Sequence, residues 1–222
     1  QRPIFISGLY RSGTTGVAEI IDRLENIKVA VGSIHFMRLI NKFYPLEKNL
    51  NYALKYVKKS YKSKWNKKIN LKFSPKKNVK RKDLAFVYDK LMCNLLKIKP
   101  KERWAEKTNV QWESIPDFLK MYPHGQVVHI YRDPRSVAAS FKLFTKHKYP
   151  MFLDSVFASK AMFNYIIKNS LFKNPNIILI KFESFFSKKK IKELYSFLDF
   201  DYSNFISKKS LGGKNFIYKS FS

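Results

Sequence analysis

Short uninterrupted apolar runs alternate along this chain with stretches in which apolar residues return every three or four positions. The first pattern predicts buried strands and the second predicts helices. Residues 3–7 form the first run, around Ile4, Phe5 and Ile6. Helical spacing follows over 14–24 through Val17, Ile20, Ile21 and Leu24, and residues 27–31 read as a second strand. Leu84, Val87, Tyr88, Leu91, Leu95 and Ile98 mark an amphipathic helix. Residues 104–107 look like a strand end, and 115–121 like a short helix. The strongest run is 126–131, which leads into Asp133-Pro134, an N-cap followed by proline at the first helical position. That helix should reach about Thr145. A further helix is expected over 152–170, with Leu153, Phe157, Ala161 and Tyr165 as its apolar stripe. A strand over 176–181 and a last helix over 191–198 complete the pattern, and no internal repeat is visible. Strands alternating with helices imply an α/β architecture, a central mostly parallel sheet flanked by helices on both faces. Ligands of such sheets sit at the carboxyl ends of the strands.

At 222 residues the chain fits a single domain over 1–222, carrying a basic insertion or lid at about 48–82. Hydrophobic residues at 45% suffice for a core, which argues against global disorder. No apolar run is long enough to span a bilayer. Cys93 is the only cysteine, which excludes an internal disulfide and a cysteine-based structural zinc cluster, and leans toward a reducing, cytoplasmic setting. The chain begins with Gln1 rather than Met, so a trimmed N-terminal segment stays open as an alternative.

Charge changes the picture. The net charge is +28, and residues 48–82 contain fourteen Lys or Arg and no acid. AT-rich codon bias accounts for abundant Lys, Asn, Ile and Tyr, but it should also favour Glu, and Asp plus Glu total only 16. An anionic partner is the other explanation. Within 48–82, Tyr52, Tyr56, Tyr61, Trp65 and Phe73 interleave with the lysines. They read either as core-packing aromatics of an insertion or as stacking platforms.

The chemistry concentrates in two motifs. Gly8-Leu-Tyr-Arg-Ser-Gly13-Thr14-Thr15 joins the first strand to the first helix with the spacing of a phosphate-binding loop, except that Thr14 stands where that loop has lysine. Backbone amides around Ser12, Gly13, Thr14 and Thr15 still face an anion at the helix N-terminus, and Arg11 supplies the positive side chain. A kinase-type loop would need the lysine and a Mg²⁺-holding hydroxyl, so this version suits a donor handled without metal. The second motif is the strand 126–131 followed by Arg132-Asp-Pro, with Ser140 two turns into the next helix. A guanidinium at the strand end and a hydroxyl facing back from the helix can converge on one phosphate.

Arg11-Ser-Gly-Thr-Thr15 after a hydrophobic strand resembles the 5′-phosphosulfate loop of the sulfotransferases that use 3′-phosphoadenosine-5′-phosphosulfate (PAPS). It is closest in look to their bacterial and Golgi-type members. Arg132-Asp-Pro with Ser140 resembles the 3′-phosphate motif of the same family. Glu106-Lys-Thr108 with Ile115-Pro116, and Leu179-Ile-Lys-Phe-Glu183, are similar to its segments before and after that motif, while Gly212-Gly213-Lys214 is a weak match to a late nucleotide-closing loop. The resemblance implies a P-loop-type three-layer sandwich that transfers a sulfuryl group from PAPS to a hydroxyl or amine, with PAP as product and no metal. It implies that Arg11 contacts the bridging and sulfuryl oxygens, that Ser12, Thr14 and Thr15 hold the 5′-phosphate, and that Arg132 and Ser140 hold the 3′-phosphate.

Three positions depart from the family pattern. Asn109 stands where cytosolic members carry a catalytic histidine; Ser33-Ile34-His35 lies near the place where many bacterial and Golgi members have a catalytic glutamate; Gly16 replaces an adenine-stacking aromatic. Glu106, His35 and Lys107 are the candidate general bases, with plain structural roles as alternatives: His35 at a helix start, Glu106 as a partner of Lys107. The expected acceptor is an acidic glycan or glycolipid, drawn by the lysines of 48–82 and stacked on its aromatics. No specific nucleic acid is expected. A cytoplasmic location is expected, with the Golgi lumen as the alternative if an anchor has been trimmed. A P-loop kinase and a basic nucleic-acid-binding module are the competing classes.

Overall fold

In the computed structural model, residues 2–30, 36–37, 81–146 and 151–202 are described. Their centre is a five-stranded sheet in the order β2-β3-β1-β4-β5. The strands are β1 (Ile4–Gly8), β2 (Ile27–Ala30), β3 (Arg103–Lys107), β4 (Gln126–Tyr131) and β5 (Ile177–Lys181). All four pairings are parallel. β1 is buried at every position, because it is the middle strand and both its faces are covered by helices. This is why its sequence is a continuous apolar run rather than an alternating one.

The helices are α1 (Thr14–Asp22), α2 (Arg81–Leu96), α3 (Ile115–Met121), α4 (Pro134–Phe144), α5 (Met151–Lys168), the single turn α6 (Phe182–Phe185) and α7 (Lys188–Phe197). α1 and α7 cover one face of the sheet, where Val17, Ile21, Leu194 and Leu198 pack on Ile4, Ile6, Val128 and Ile180. α2, α3, α4 and α5 cover the other face with Tyr88, Leu91, Phe118, Val137 and Met162 around Phe5 and Val127. Aromatic rings fill this second layer, with Phe5 stacked on Phe118 at 5.0 Å and Tyr88 against Trp104 at 4.7 Å. The result is the three-layer α/β sandwich anticipated from the alternation of patterns. At the amino end of the sheet, Arg103 donates to the carbonyls of Arg2 (2.7 Å) and Leu198 (3.0 Å). Burial lowers its pKa to about 10.

Element boundaries fall close to the expected ones, and the Asp133 cap forms: its carboxylate accepts from the Arg135 backbone N–H at 2.8 Å. α5 is turned differently from the expectation. Its buried face carries Ser155, Ser159, Met162 and Ile166, whereas Phe157 of the expected stripe is 69% exposed. Serine can be buried on a helix because its hydroxyl bonds the preceding turn. Ser155 Oγ donates to Phe152 O (2.6 Å) and Ser159 Oγ to Ser155 O (2.7 Å). The segment 48–80, His35 and Gly212-Gly213-Lys214 lie outside the described residues.

Candidate active site

Four neighbouring strands, β3, β1, β4 and β5, deliver their next residues to one end of the sheet. β1 sits at the point where the strand order turns, the position at which open α/β sheets bind ligands. The chain leaves β1 through Gly8, where backbone and side chains crowd in: an added Cβ would lie 2.6 Å from Ile130 O and 2.7 Å from Thr14 Cγ2. The loop then closes on itself. Ser12 N–H and Ser12 Oγ both donate to Leu9 O, at 3.2 and 2.6 Å. Arg11 takes a left-handed conformation (φ 65°) and so does Gly13 (φ 93°). α1 starts at Thr14 with no side-chain cap, so an anion can meet its first N–H groups. The Phe182 ring, which follows β5, lies flush on Gly13, where a Cβ would come within 2.1 Å of Cδ2.

Opening from this loop is a cleft of about 870 Å³. Arg11, Gly13, Thr14 and Thr15 line it from the loop, and Arg132 and Ser140 line it from β4 and α4. The two sequence motifs therefore share one cavity. Arg11 Nε donates to Ser140 Oγ at 2.9 Å, and an Arg132 terminal nitrogen donates to Arg11 O at 3.1 Å. The Arg132 guanidinium also lies 4.7 Å from the centre of the Phe182 ring. Its Nε is buried and has no hydrogen-bond partner among the described residues, an orphaned donor of the kind a bound anion satisfies. Glu183, next to Phe182, accepts from the Asp133 backbone N–H at 2.9 Å and so ties the β4–α4 turn to the end of β5. The Asp133 carboxyl is held well below the usual carboxylate range by its bonds to Arg135.

Ser12 is fully buried with its hydroxyl turned into the loop, so it builds the cradle instead of lining the cleft. Glu106 and Lys107 are also away from the cleft lining. Glu106 pairs with Phe5 in register, is 1% exposed, and accepts from the Tyr88 hydroxyl. Lys107 pairs with Ile6 and so points to the opposite face of the sheet. Burial lowers its pKa.

Residues that sequence reasoning did not assign complete the cleft. Asn109 enters from the end of β3, and Phe182 enters from the end of β5. Tyr10, Phe141 and Phe144 form an aromatic wall, with the Arg11 guanidinium 5.4 Å from the Phe144 ring centre. One rule would have found Asn109 and Phe182: read the first residues beyond each parallel strand.

A parallel sheet with this strand order, a glycine-bounded loop and an uncapped helix start define a P-loop-type α/β fold. The model of the sulfotransferase family matches residues 3–204, and the chain belongs to that family. Solved structures agree on the fold. The sulfotransferase domain of the Synechococcus PCC 7002 olefin synthase is similar at a TM-score of 0.56 and 13% identity, over 91% of this chain and 74% of that one. Sulfotransferase STF9 from Mycobacterium avium aligns at 0.55 and 11% identity, over 97% and 69% of the two chains. A sulfotransferase from Alicyclobacillus acidocaldarius aligns at 0.52 and 14% identity, over 90% and 82%. A search of curated proteins by sequence finds no match. Membership in this family replaces the kinase and the nucleic-acid module as accounts of the whole chain. Among the described residues, no helix is long and apolar enough to cross a membrane.

Proposed function

We propose that this sulfotransferase takes its sulfuryl group from PAPS and passes it to a hydroxyl or amine on an anionic glycan or glycolipid. The donor assignment rests on one observation, the convergence of Arg11, Arg132 and Ser140 on a single cleft at the start of α1. The orphaned Nε of Arg132 and the uncapped helix start fit a nucleotide bearing phosphates at two positions.

In the reaction the acceptor oxygen or nitrogen forms a bond to sulfur. The bond between sulfur and the 5′-phosphate oxygen breaks, its electron pair stays on that oxygen, and PAP leaves. The acceptor's proton passes to a general base; of the three candidates from the sequence, Glu106 and Lys107 are buried away from the cleft lining, and His35 lies outside the described residues. Positioning and charge stabilisation dominate such transfers. Arg11 and the amides of Gly13, Thr14 and Thr15 stabilise the charge that grows on the leaving oxygen. Arg132 and Ser140 hold the 3′-phosphate. Charge neutralisation by these groups requires no metal.

Two features support the acceptor class. Tyr10 and Phe144 are 43% and 67% exposed at the cleft, leaving aromatic surface that a sugar ring can contact. Residues 48–82 add fourteen positive charges without an acid, which favours an anionic acceptor. A cytoplasmic setting goes with this reading, because the lone Cys93 suits a reducing compartment. The test is a screen of acceptors with radiolabelled PAPS in excess EDTA. Label should pass to acidic or already sulfated glycans before neutral phenols. Transfer to phenols alone would overturn the acceptor assignment, and failure of PAP to bind would overturn the donor assignment.

A further inference from the structure

We propose that Asn109 is a catalytic residue of this site: its side-chain amide donates hydrogen bonds to the sulfuryl oxygens of the donor. The proposal rests on the PAPS reading above and goes beyond it, because it gives a hydrogen-bond donor role to a residue for which the sequence offered none.

The backbone holds Asn109 in place. β3 ends at Lys107, yet the chain keeps its ladder with β1 beyond that point. Thr108 N–H donates to Ile6 O at 2.8 Å and Val110 N–H to Gly8 O at 3.0 Å. Asn109 is thereby fixed beside the phosphate-binding loop. Val110 then takes φ 56°, a left-handed conformation that a β-branched residue rarely adopts. Strain of this kind persists where the surroundings over-determine it, commonly at functional sites.

The amide is also oriented. Thr14 Oγ1 donates to Asn109 Oδ1 at 2.9 Å, and Thr14 is 4% exposed, so the contact is partly buried at the cleft wall. With Oδ1 facing Thr14, the two protons of Nδ2 point away from it, and Asn109 lines the cleft. The exchange has a chemical consequence. A hydroxyl has a single proton, and that of Thr14 is engaged by Asn109. The Thr14 side chain therefore brings no donor to an anionic ligand; Asn109 brings two. The N–H groups at the start of α1 meet the phosphate seated in the loop, which leaves Asn109, arriving from the neighbouring strand, for the outer sulfuryl end.

A carboxamide does not titrate near neutral pH, so Asn109 cannot take the acceptor's proton. Its contribution is electrostatic: fixed donors facing oxygens whose charge changes as the sulfuryl group moves.

The test compares wild type with Asn109→Ala and Asn109→Asp, measuring PAP and PAPS binding by calorimetry without acceptor, single-turnover transfer, and thermal melting. For Asn109→Ala the expected result is PAP affinity within about threefold of wild type and transfer slower by on the order of 10²–10³. Asn109→Asp keeps the shape but turns a carboxylate toward the donor, so it should weaken PAPS binding more than PAP binding. Equal losses of PAP binding and transfer in Asn109→Ala, or equal losses of PAP and PAPS in Asn109→Asp, would show that the residue only shapes the loop and overturn the proposal. Asn109→Ala with undiminished transfer overturns it too. Failure of wild type to bind PAP is a separate outcome, and it removes the donor reading along with this one.

Discussion

Arg11 Nε donates to Ser140 Oγ across 2.9 Å, although the two residues are 129 positions apart and belong to different motifs. The resemblance to the PAPS-dependent enzymes implies that Arg11 meets the sulfuryl end of the donor and Ser140 the 3′-phosphate. In the folded protein the hydroxyl of one motif orients the guanidinium of the other. The Arg11 backbone carbonyl in turn accepts from Arg132 at 3.1 Å, so the second motif grips the first at two points.

Arg11→Ala should therefore abolish most turnover while leaving the fold intact, with a rate loss on the order of 10²–10³ for one preorganised donor. Ser140→Ala should cost less, on the order of tenfold, but should lower both PAP affinity and turnover because the hydroxyl serves both motifs. Steady-state kinetics with a melting curve for each variant checks this. An Arg11→Ala enzyme with most of its activity would remove the role.

Arg132 carries an orphaned Nε, and its Ala variant should expose what that donor is for. PAP binding should weaken by roughly 10- to 100-fold, the scale of a lost charge-assisted hydrogen bond. Binding of adenosine-5′-phosphosulfate, which lacks the 3′-phosphate, should change far less. Equal losses for the two ligands, read by competition calorimetry, would contradict the assignment.

Gly13 is constrained twice, by φ 93° and by the Phe182 ring 2.1 Å from the position of an added Cβ. Gly13→Ala should lower stability by about 1–3 kcal/mol and displace the loop. Adding Phe182→Ala relieves the clash but not the backbone strain, so stability should return only in part. Full recovery of PAP binding in the double variant would mean that the left-handed turn is dispensable.

His129 is buried beside Ser7 in register, and neither its ring nitrogens nor Ser7 Oγ has a hydrogen-bond partner among the described residues. Burial lowers its pKa from 6.5 to about 4. A histidine whose folded pKa is depressed contributes stability that is complete above about pH 6.5 and is lost as pH falls toward 4. The unfolded chain binds the proton first in that window. Urea denaturation should thus show about 2 kcal/mol less stability at pH 5 than at pH 7 from this group alone. His129→Gln should flatten that part of the profile, and an unchanged slope would assign the acid sensitivity to other groups.

Much of the framework is legible in the chain as written. The largely apolar run at 126–131 and the Asp133-Pro134 cap correspond to β4 and the start of α4, because both depend on residues adjacent in sequence. The same holds for the loop from Gly8 to Thr15, whose shape follows from glycine and from short hydrogen bonds such as Ser12 to Leu9. The face of α5 was misread because Phe157 satisfies an apolar count while Ser155 and Ser159 do not. Only the neighbouring layers decide which side turns inward.

By itself, then, the sequence determined strands, helices, caps and the two motifs that meet at the cleft, since local backbone geometry and hydrophobic periodicity act over a few residues. Tertiary structure alone decided the strand order β2-β3-β1-β4-β5, the bond from Arg11 to Ser140 and the bond from Thr14 to Asn109. It also withdrew the carboxylate of Glu106 toward Tyr88, inside the aromatic layer. Those outcomes join residues that lie 18 to 129 positions apart, and they arise from the packing of whole layers around a buried sheet. No local pattern encodes which distant side chain will be waiting when the layers close.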